Sequence, residues 1–325
     1  MDVNKKRPLI SVILPVHNER DSIERCLKTI KNQSYPELEI IVIDNLSNDD
    51  SMEMAKKYTD RVILERHKGI SFTKNTGLKV AKGEFVATTD ADCIPDKNWL
   101  EELIKHFNDP LVGSVGGTNI LPNNASDFEK CIDFLLRTLG SIFKSKYVSD
   151  IRYVTETFHN PGCNVMYRKS ILQELGGFNE RFLTVEDEEL DFRIRKRGYK
   201  ILFTPFAKVY HNRRSNWKKF VKQVYRYAIG RARFIKLHPN MAQWPRLIPS
   251  ILILFSIFLF IIGLFNPMFL KLLSVESLIG IGGWLLVAYY LALKSEKRHF
   301  PVYLFLLFLT FWVWGIGLIR GLWHK

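Results

Sequence analysis

The stretch EFVATTDADCIPDKNWL, residues 84–100, decides how this chain is organised. An apolar run, Phe85 to Thr89, ends abruptly in Asp90-Ala91-Asp92. In an extended chain, residues two apart face the same way, roughly 6.5–7 Å apart. Asp90 and Asp92 can therefore point into one pocket. The alternative is punctuation, because strands lead into turns and turns favour Asp. Pro95 and Asp96, just before the helical pattern of WLEELI, suit that role better than the pair does.

Working upstream, LISVILPV (9–16) is a short β-branched apolar run and reads as a buried strand. NERDSIERCLKTIKNQ follows, with Ile23, Leu27 and Ile30 at helical spacing and Asn18 as a candidate cap. LEIIVIDN (38–45) and RVILER (61–66) are two further strands, and SFTKNTGLKVAKG (71–83) is helical with Gly83 as its stop. This alternation implies an α/β fold with a mostly parallel sheet and helices on both faces. In such sheets ligands sit beyond the carboxyl ends of the strands. Pro15, His17, Asn18 and Glu19 fall at the first such end, Asp44, Asn45 and Ser47 at the second, and Asp90 and Asp92 at a later one. Turn chemistry explains any one of these sets; the coincidence of three points to a nucleotide pocket. No GxGxxG and no Walker loop is present, so neither an NAD-binding unit nor a P-loop ATPase is supported.

Downstream the composition changes. Residues 247–265, 277–293 and 301–319 hold no charged side chain, and each run is close to the ~20 residues that span a bilayer as a helix. Three buried core helices are the alternative, but Trp and Tyr near the run ends favour membrane spans. Lys294, Lys297 and Arg298 crowd the loop between the second and third runs. The positive-inside rule then places that loop and the N-terminal domain in the cytoplasm, with the chain's end outside, as a multi-pass protein of the cell membrane. MDVNKKRPLI lacks the apolar core of a signal peptide.

The net charge of +14 is concentrated: residues 213–236 carry nine Lys or Arg and no acid. Trp217, Phe220, Val221, Val224, Tyr225, Ala228 and Ile229 are interleaved at helical spacing. A basic, aromatic, juxtamembrane helix suits anionic lipid headgroups, with nucleic acid as the weaker alternative partner. The four cysteines, Cys26, Cys93, Cys131 and Cys163, show no CxxC or Cys/His ligand spacing and read as free thiols, Cys93 as a bystander of the Asp pair.

VILPVHNER, IIVIDNLSNDDS, KNTGLKVAKGEFVATTDADC, HNPGCNVMYRKSILQELGGFNERF and VEDEELDFRIRKRGYKILFTPFAKVYH, taken in this order, resemble successive blocks of the family 2 glycosyltransferases over residues 9–237. The tail RRSNWKKFVKQVYRYAIGRARFIKLHP is similar to membrane-anchored members, including the succinoglycan-synthase-like group, that make exopolysaccharides or lipid-linked sugars. The resemblance implies the GT-A fold, a Rossmann-like nucleotide-sugar domain with an Asp-x-Asp metal motif, over 1–212. A basic interface helix over 213–246 and a membrane domain over 247–325 follow it. Two departures stand out. His17 occupies a position often held by Tyr, and Gln223-Val224-Tyr225-Arg226-Tyr227 ends in Tyr where processive members have Trp.

The resemblance assigns Asp92 to the metal and Asp90 to the ribose or a metal-bound water. Expulsion of a nucleoside diphosphate builds up negative charge, which a hard divalent cation, Mn2+ or Mg2+, offsets. Two carboxylates leave the shell incomplete, and His211 in KVYHN is the candidate third ligand; an ordinary structural histidine is the alternative. Asp187 of the Glu186-Asp187 pair is the expected general base for the acceptor hydroxyl, although acids also suit a helix start capped by Thr184. Pro15, His17, Glu19 and Asp44 would line base and ribose, with Lys74 near the base or diphosphate. Asn164, Glu186, Gln223, Arg226 and Tyr227 would contact donor or acceptor. The implied partners are a UDP- or GDP-sugar, a polyprenyl-linked or polysaccharide acceptor and membrane lipid. A polyprenyl-phosphate sugar synthase is the alternative enzyme; a nucleotidyltransferase and an inactive scaffold are the remaining ones.

Overall fold

The computed structural model describes residues 7–142 and 151–323. The chain forms two compact units, one from residues 1–124 and 139–212, the other from 125–138 and 213–325.

The first unit is a three-layer α/β structure. Its parallel half is built from β1 (Ile10–Val16), β2 (Leu38–Asp44), β3 (Val62–Leu64) and β4 (Phe85–Thr88), in the spatial order β3-β2-β1-β4. The intervening helices are α1 (Arg20–Lys31), α2 (Ser51–Lys56) and α3 (Ile70–Val80). Alternation decides which face each residue serves. Ile10, Val12, Leu14 and Val16 of β1 pack with Ile23, Leu27 and Ile30 of α1 and with Trp99, Leu100 and Leu103 of α4 (Trp99–Ile104). Ile13, with Ile41, Ile43 and Val86, joins the opposite core around Leu78, Phe178, Leu190 and Ile194.

Beyond β4 the sheet is mixed. β8 (Val165–Arg168) runs antiparallel to both β4 and β6 (Val112–Ile120). β6 pairs in parallel with β9 (Lys200–His211), and β5 (Cys93–Pro95) and β7 (Thr155–Glu156) run antiparallel to β9. The parallel character expected from the sequence thus holds for β1–β4 and for the β6–β9 pair, while β5, β7 and β8 run antiparallel to their neighbours. The chain enters β8 through the turn-forming residues His159-Asn160-Pro161-Gly162 instead of a crossover helix, so nothing imposes a parallel direction there. Helices α6 (Lys169–Glu174) and α7 (Glu186–Lys196) complete the unit.

Two local expectations change. Asn18 does not cap α1: Glu19 holds that position, while Asn18 adopts a positive φ of 56° and its Oδ1 accepts from the Asn48 amide. Helix α3 ends at Val80, before Gly83. Gly83 instead lies hard against β1, where a Cβ would sit 2.6 Å from the Ser11 nitrogen.

The second unit contains most of α5 (Asp127–Ile142), together with α8 (Trp217–Leu237), α9 (Trp244–Gly263), α10 (Pro267–Lys294) and α11 (Phe300–Trp323). Asn216 caps α8, its Oδ1 accepting from the Lys219 amide at 3.0 Å. Small residues let α8 and α11 touch: a Cβ at Gly317 or Gly321 would lie 2.8 Å and 2.6 Å from the Cβ atoms of Ala228 and Ala232. The segments Trp244–Gly263, Pro267–Lys294 and Lys297–Trp323 are long and apolar enough to cross a membrane. The middle helix starts ten residues before the charge-free run and takes in Lys271 and Glu276. The Ser256 hydroxyl of α9 donates to Glu276 at 3.0 Å, which gives that carboxylate a partner between helices.

Candidate active site

The carboxyl ends of β1, β2 and β3 are tied by short polar links. His17 Nδ1 donates to the Asn45 carbonyl at 2.7 Å, and Asn45 Nδ2 donates to the carbonyls of Glu65 and His67. Asp44 is buried at 1% exposure. Its Oδ1 accepts from the Ser47 amide, whereas Oδ2 is buried without a hydrogen-bond partner. Pro15 and Glu19 are half-buried at the same edge.

At the end of β4 the chain turns through Asp90 and Asp92 into β5. Asp90 and Asp92 place carboxylate oxygens within 4.8 Å of each other and of the Cys93 sulfur. His211, the last residue of β9, pairs directly with Cys93 in the antiparallel register. Its Nε2 stands 3.4 Å from Asp92 Oδ2. Burial, reinforced by Cys163 and Asp92 nearby, pushes Asp90 up to about 7. Burial works against a charged His211, but its links to Asp92 and Cys163 outweigh that and hold it up at about 10.

Lys74 of α3 is fully enclosed and donates to Glu186 Oε1 at 2.8 Å. Lys74, expected near the base or diphosphate, is a buried partner of Glu186, with Asp187 and Asp90 also within its electrostatic reach. Asp187, the second residue of α7, is held on two sides. Its Oδ2 accepts from the Gly162 amide at 2.8 Å, and Oδ1 accepts from the Glu188 amide at 2.9 Å. Val185, in place of the expected Thr184, sits at the cap position, with φ 68° and no side-chain cap bond. A β-branched residue there is strained by about 1–3 kcal/mol. Gly162 is the meeting point: a Cβ would lie 2.8 Å from Lys74 Nζ and 3.0 Å from Asp187 Oδ2.

Asn164 is completely buried and fully used by the protein. Its Oδ1 accepts from Trp99 Nε1 at 2.8 Å, and Nδ2 donates to the carbonyls of Thr118 and Ala207. These bonds tie the turn before β8 to Trp99, β6 and β9. Gly117 makes this possible, since a Cβ there would lie 2.0 Å from the Ala207 oxygen. Gln223, Arg226 and Tyr227 lie on α8 of the second unit, Arg226 and Tyr227 on its exposed surface.

Residues 11–176 match the family model Glycosyl transferase family 2. The chain belongs to this family. Among curated relatives, glycosyltransferase AglE of Haloferax volcanii is 29% identical over 60% of this chain and 64% of its own length. A dolichyl N-acetyl-alpha-D-glucosaminyl phosphate 3-beta-D-2,3-diacetamido-2,3-dideoxy-beta-D-glucuronosyltransferase of Methanococcus voltae is 26% identical over 96% of this chain and 97% of its own. Other curated relatives are matched over only 56% and 48% of their lengths, so the chain spans about half to two thirds of most of them. Among solved structures, a mannosyltransferase from Pyrobaculum calidifontis, in complex with GDP-Man and Mn2+, superposes with a TM-score of 0.65 at 20% identity, covering 98% of this chain and 88% of that one. That likeness establishes the GT-A fold.

Three residues of this family 2 glycosyltransferase carry no sequence signal and emerge only in space. His159 Nδ1 donates to Asp191 Oδ2 at 3.1 Å, and its Nε2 stands 3.9 Å from Asp187 Oδ2. Cys163 approaches His211 Nδ1 at 4.0 Å. The imidazole of His159 thus bridges Asp187 and the fully buried Asp191. Burial opposes its charge, but Asp187, Asp191 and Glu188 outweigh it and raise its pKa from 6.5 to about 9. A folded-state pKa above the unfolded one contributes stability that is complete below the unfolded pKa and is lost as pH rises through the folded one. Melting curves of the wild type and His159→Gln should therefore differ most below pH 6.5 and converge as pH passes about 9. A difference independent of pH would show that His159 is not charged in the folded protein.

Proposed function

We propose that this chain is a membrane-anchored, inverting and divalent-cation-dependent glycosyltransferase that moves one sugar from a nucleotide-sugar to a lipid-linked acceptor. The observation that carries this reading is the arrangement around Lys74. One buried cation lies within electrostatic reach of both Asp90 of the Asp-x-Asp pair and Asp187, which Gly162 holds by a backbone N–H. Asp90 and Asp92 supply oxygen donors and His211 Nε2 a nitrogen beside Asp92, a set that fits Mn2+ and, less closely, Mg2+. A divalent cation there would offset the charge growing on the departing nucleoside diphosphate. Asp187 receives the proton of the acceptor hydroxyl as it attacks the anomeric carbon, and one displacement inverts that centre. The unpartnered Asp44 Oδ2 suits a ribose hydroxyl.

The second unit supports a lipid-linked acceptor. Its basic helix α8, three apolar helices and a cleft of about 480 Å3 walled by Phe128, Trp217, Pro301, Val302 and Phe305 suit a substrate carried on lipid. The Methanococcus voltae relative, matched over nearly its whole length, is named for a dolichyl-linked acceptor, and the Pyrobaculum calidifontis neighbour holds GDP-Man with Mn2+. Lys294, Lys297 and Arg298 favour a cytoplasmic catalytic unit.

The test uses the full chain in detergent with radiolabelled UDP- and GDP-sugars, each offered with a polyprenyl-linked sugar and with bare polyprenyl phosphate. Transfer to the lipid-linked sugar with release of nucleoside diphosphate is expected. Release of pyrophosphate would identify a nucleotidyltransferase, and transfer confined to bare polyprenyl phosphate would identify a polyprenyl-phosphate sugar synthase. In His211→Ala the cation concentration for half-maximal rate should rise by at least the about 10–100-fold seen for lesser metal-site changes. An unchanged value removes His211 from the ligand set.

A further inference from the structure

Cys93 and Cys163 have no part in the chemistry above, yet both are buried against His211. Cys93 lies on β5 and Cys163 in the turn before β8, at 1% and 7% exposure. One ligating atom from each of Cys93, Cys163 and His211 lies within 4.8 Å of the others. The two faces of His211 are distinct. Nε2 looks toward Asp92 Oδ2 at 3.4 Å, whereas Nδ1 looks toward Cys163 Sγ at 4.0 Å. Asn119 Nδ2 donates to the Cys163 sulfur at 3.2 Å, a contact that favours a thiolate.

We propose that Cys93, Cys163 and Nδ1 of His211 form a site for a thiophilic divalent cation of the zinc class, separate from the oxygen-rich site on the Nε2 side. Two thiolates and an imidazole select zinc over magnesium, manganese or calcium. In a tetrahedral zinc site the ligand atoms stand about 3.5–3.8 Å apart, so a closure of roughly 1 Å brings these three into range. The carboxylate of Asp92 beside Nε2 supplies the second partner that a metal-bound imidazole uses to fix its tautomer. The partly exposed Asp92 beside His211 opens the path of entry, and a water fills the fourth position. Binding releases the thiol protons and the proton on His211 Nδ1 to solvent. On the transferase reading, occupancy leaves Nε2 protonated and donating to Asp92, so the softer cation takes His211 away from the harder one.

The test is a Co2+ titration of the reduced full chain without nucleotide, read by absorption. The expected result is a thiolate-to-cobalt charge-transfer band with tetrahedral visible bands, saturating at one equivalent and bleached by Zn2+. Cys93→Ser and Cys163→Ser should each lose most of the band, while Cys26→Ser/Cys131→Ser should keep it. Absence of the band in the wild type overturns the proposal however the variants fold. Its survival in both Cys93→Ser and Cys163→Ser overturns it equally. The spectrum does not depend on sugar transfer, so an inactive chain would overturn the transferase reading and leave this one standing.

Discussion

Asp187→Asn is expected to lower sugar transfer to a hydroxyl acceptor by about 10²–10⁴-fold, the usual contribution of a positioned base. The amide has nearly the same shape, so the pocket is preserved while the proton acceptor is lost. Both Asp187 oxygens receive backbone N–H groups, from Gly162 and Glu188. An amide nitrogen must face one of them, which breaks one hydrogen bond at about 1 kcal/mol. That local loss is small beside the catalytic one. Nucleoside diphosphate affinity, which the proposal assigns to the strand ends and the Asp-x-Asp pair, should stay within a few-fold of the wild type by calorimetry. Robust turnover in this variant would end the assignment of Asp187 as base. A parallel collapse of nucleotide affinity would show instead that Asp187 organises the donor site.

Lys74→Met is expected to destabilise the protein by about 3–5 kcal/mol, because it leaves a buried carboxylate without its cation. Lys74 and Glu186 are 2% and 8% exposed and 2.8 Å apart, so neither solvent nor salt can replace the missing partner. Asp187 and Asp90, which also lean on this ammonium, add to the uncompensated charge. Denaturant unfolding of the full chain in detergent measures the effect. The double variant Lys74→Met/Glu186→Leu should recover much of the stability, since an apolar pair avoids the desolvation that the ion pair incurs. It should not recover transfer, because Asp187 still lacks the neighbouring cation. A loss below about 1 kcal/mol in the single variant would mean that the pair behaves like one on the surface.

How much of this was legible in the chain follows from where each signal resides. The parallel strands β1 to β4, their polar ends, the charge-free helices and the basic stretch before them are local patterns. Each is written in neighbouring residues at period 2, at period 3.6 or as composition, and so is legible in the sequence. Caps and stops are not decided locally. Asn18, Gly83 and Thr184 have the chemistry of helix punctuation, but tertiary contacts use Asn18 and Gly83 otherwise, and Val185 takes the expected place of Thr184. Lys74 and Asn164 were recognisable as residues of the site region, but not as buried partners of Glu186 and Trp99. Burial depends on what the rest of the chain lays over a residue.

By itself, then, the sequence determined the family, through the resemblance of five motif blocks in order, and also the first strands and helices, the paired acids at a strand end and the apolar tail, because these last need only short-range periodicity and composition. Only the tertiary structure decided which distant side chains meet. The register of β5 on β9 sets Cys93 opposite His211, 118 positions later in the chain, and the turn before β8 brings Cys163 to the same imidazole. The packing of α7 against the 159–162 turn sets His159 between Asp187 and Asp191. No local pattern encodes such contacts, since strand register and helix packing are settled by the whole sheet and its two cores at once.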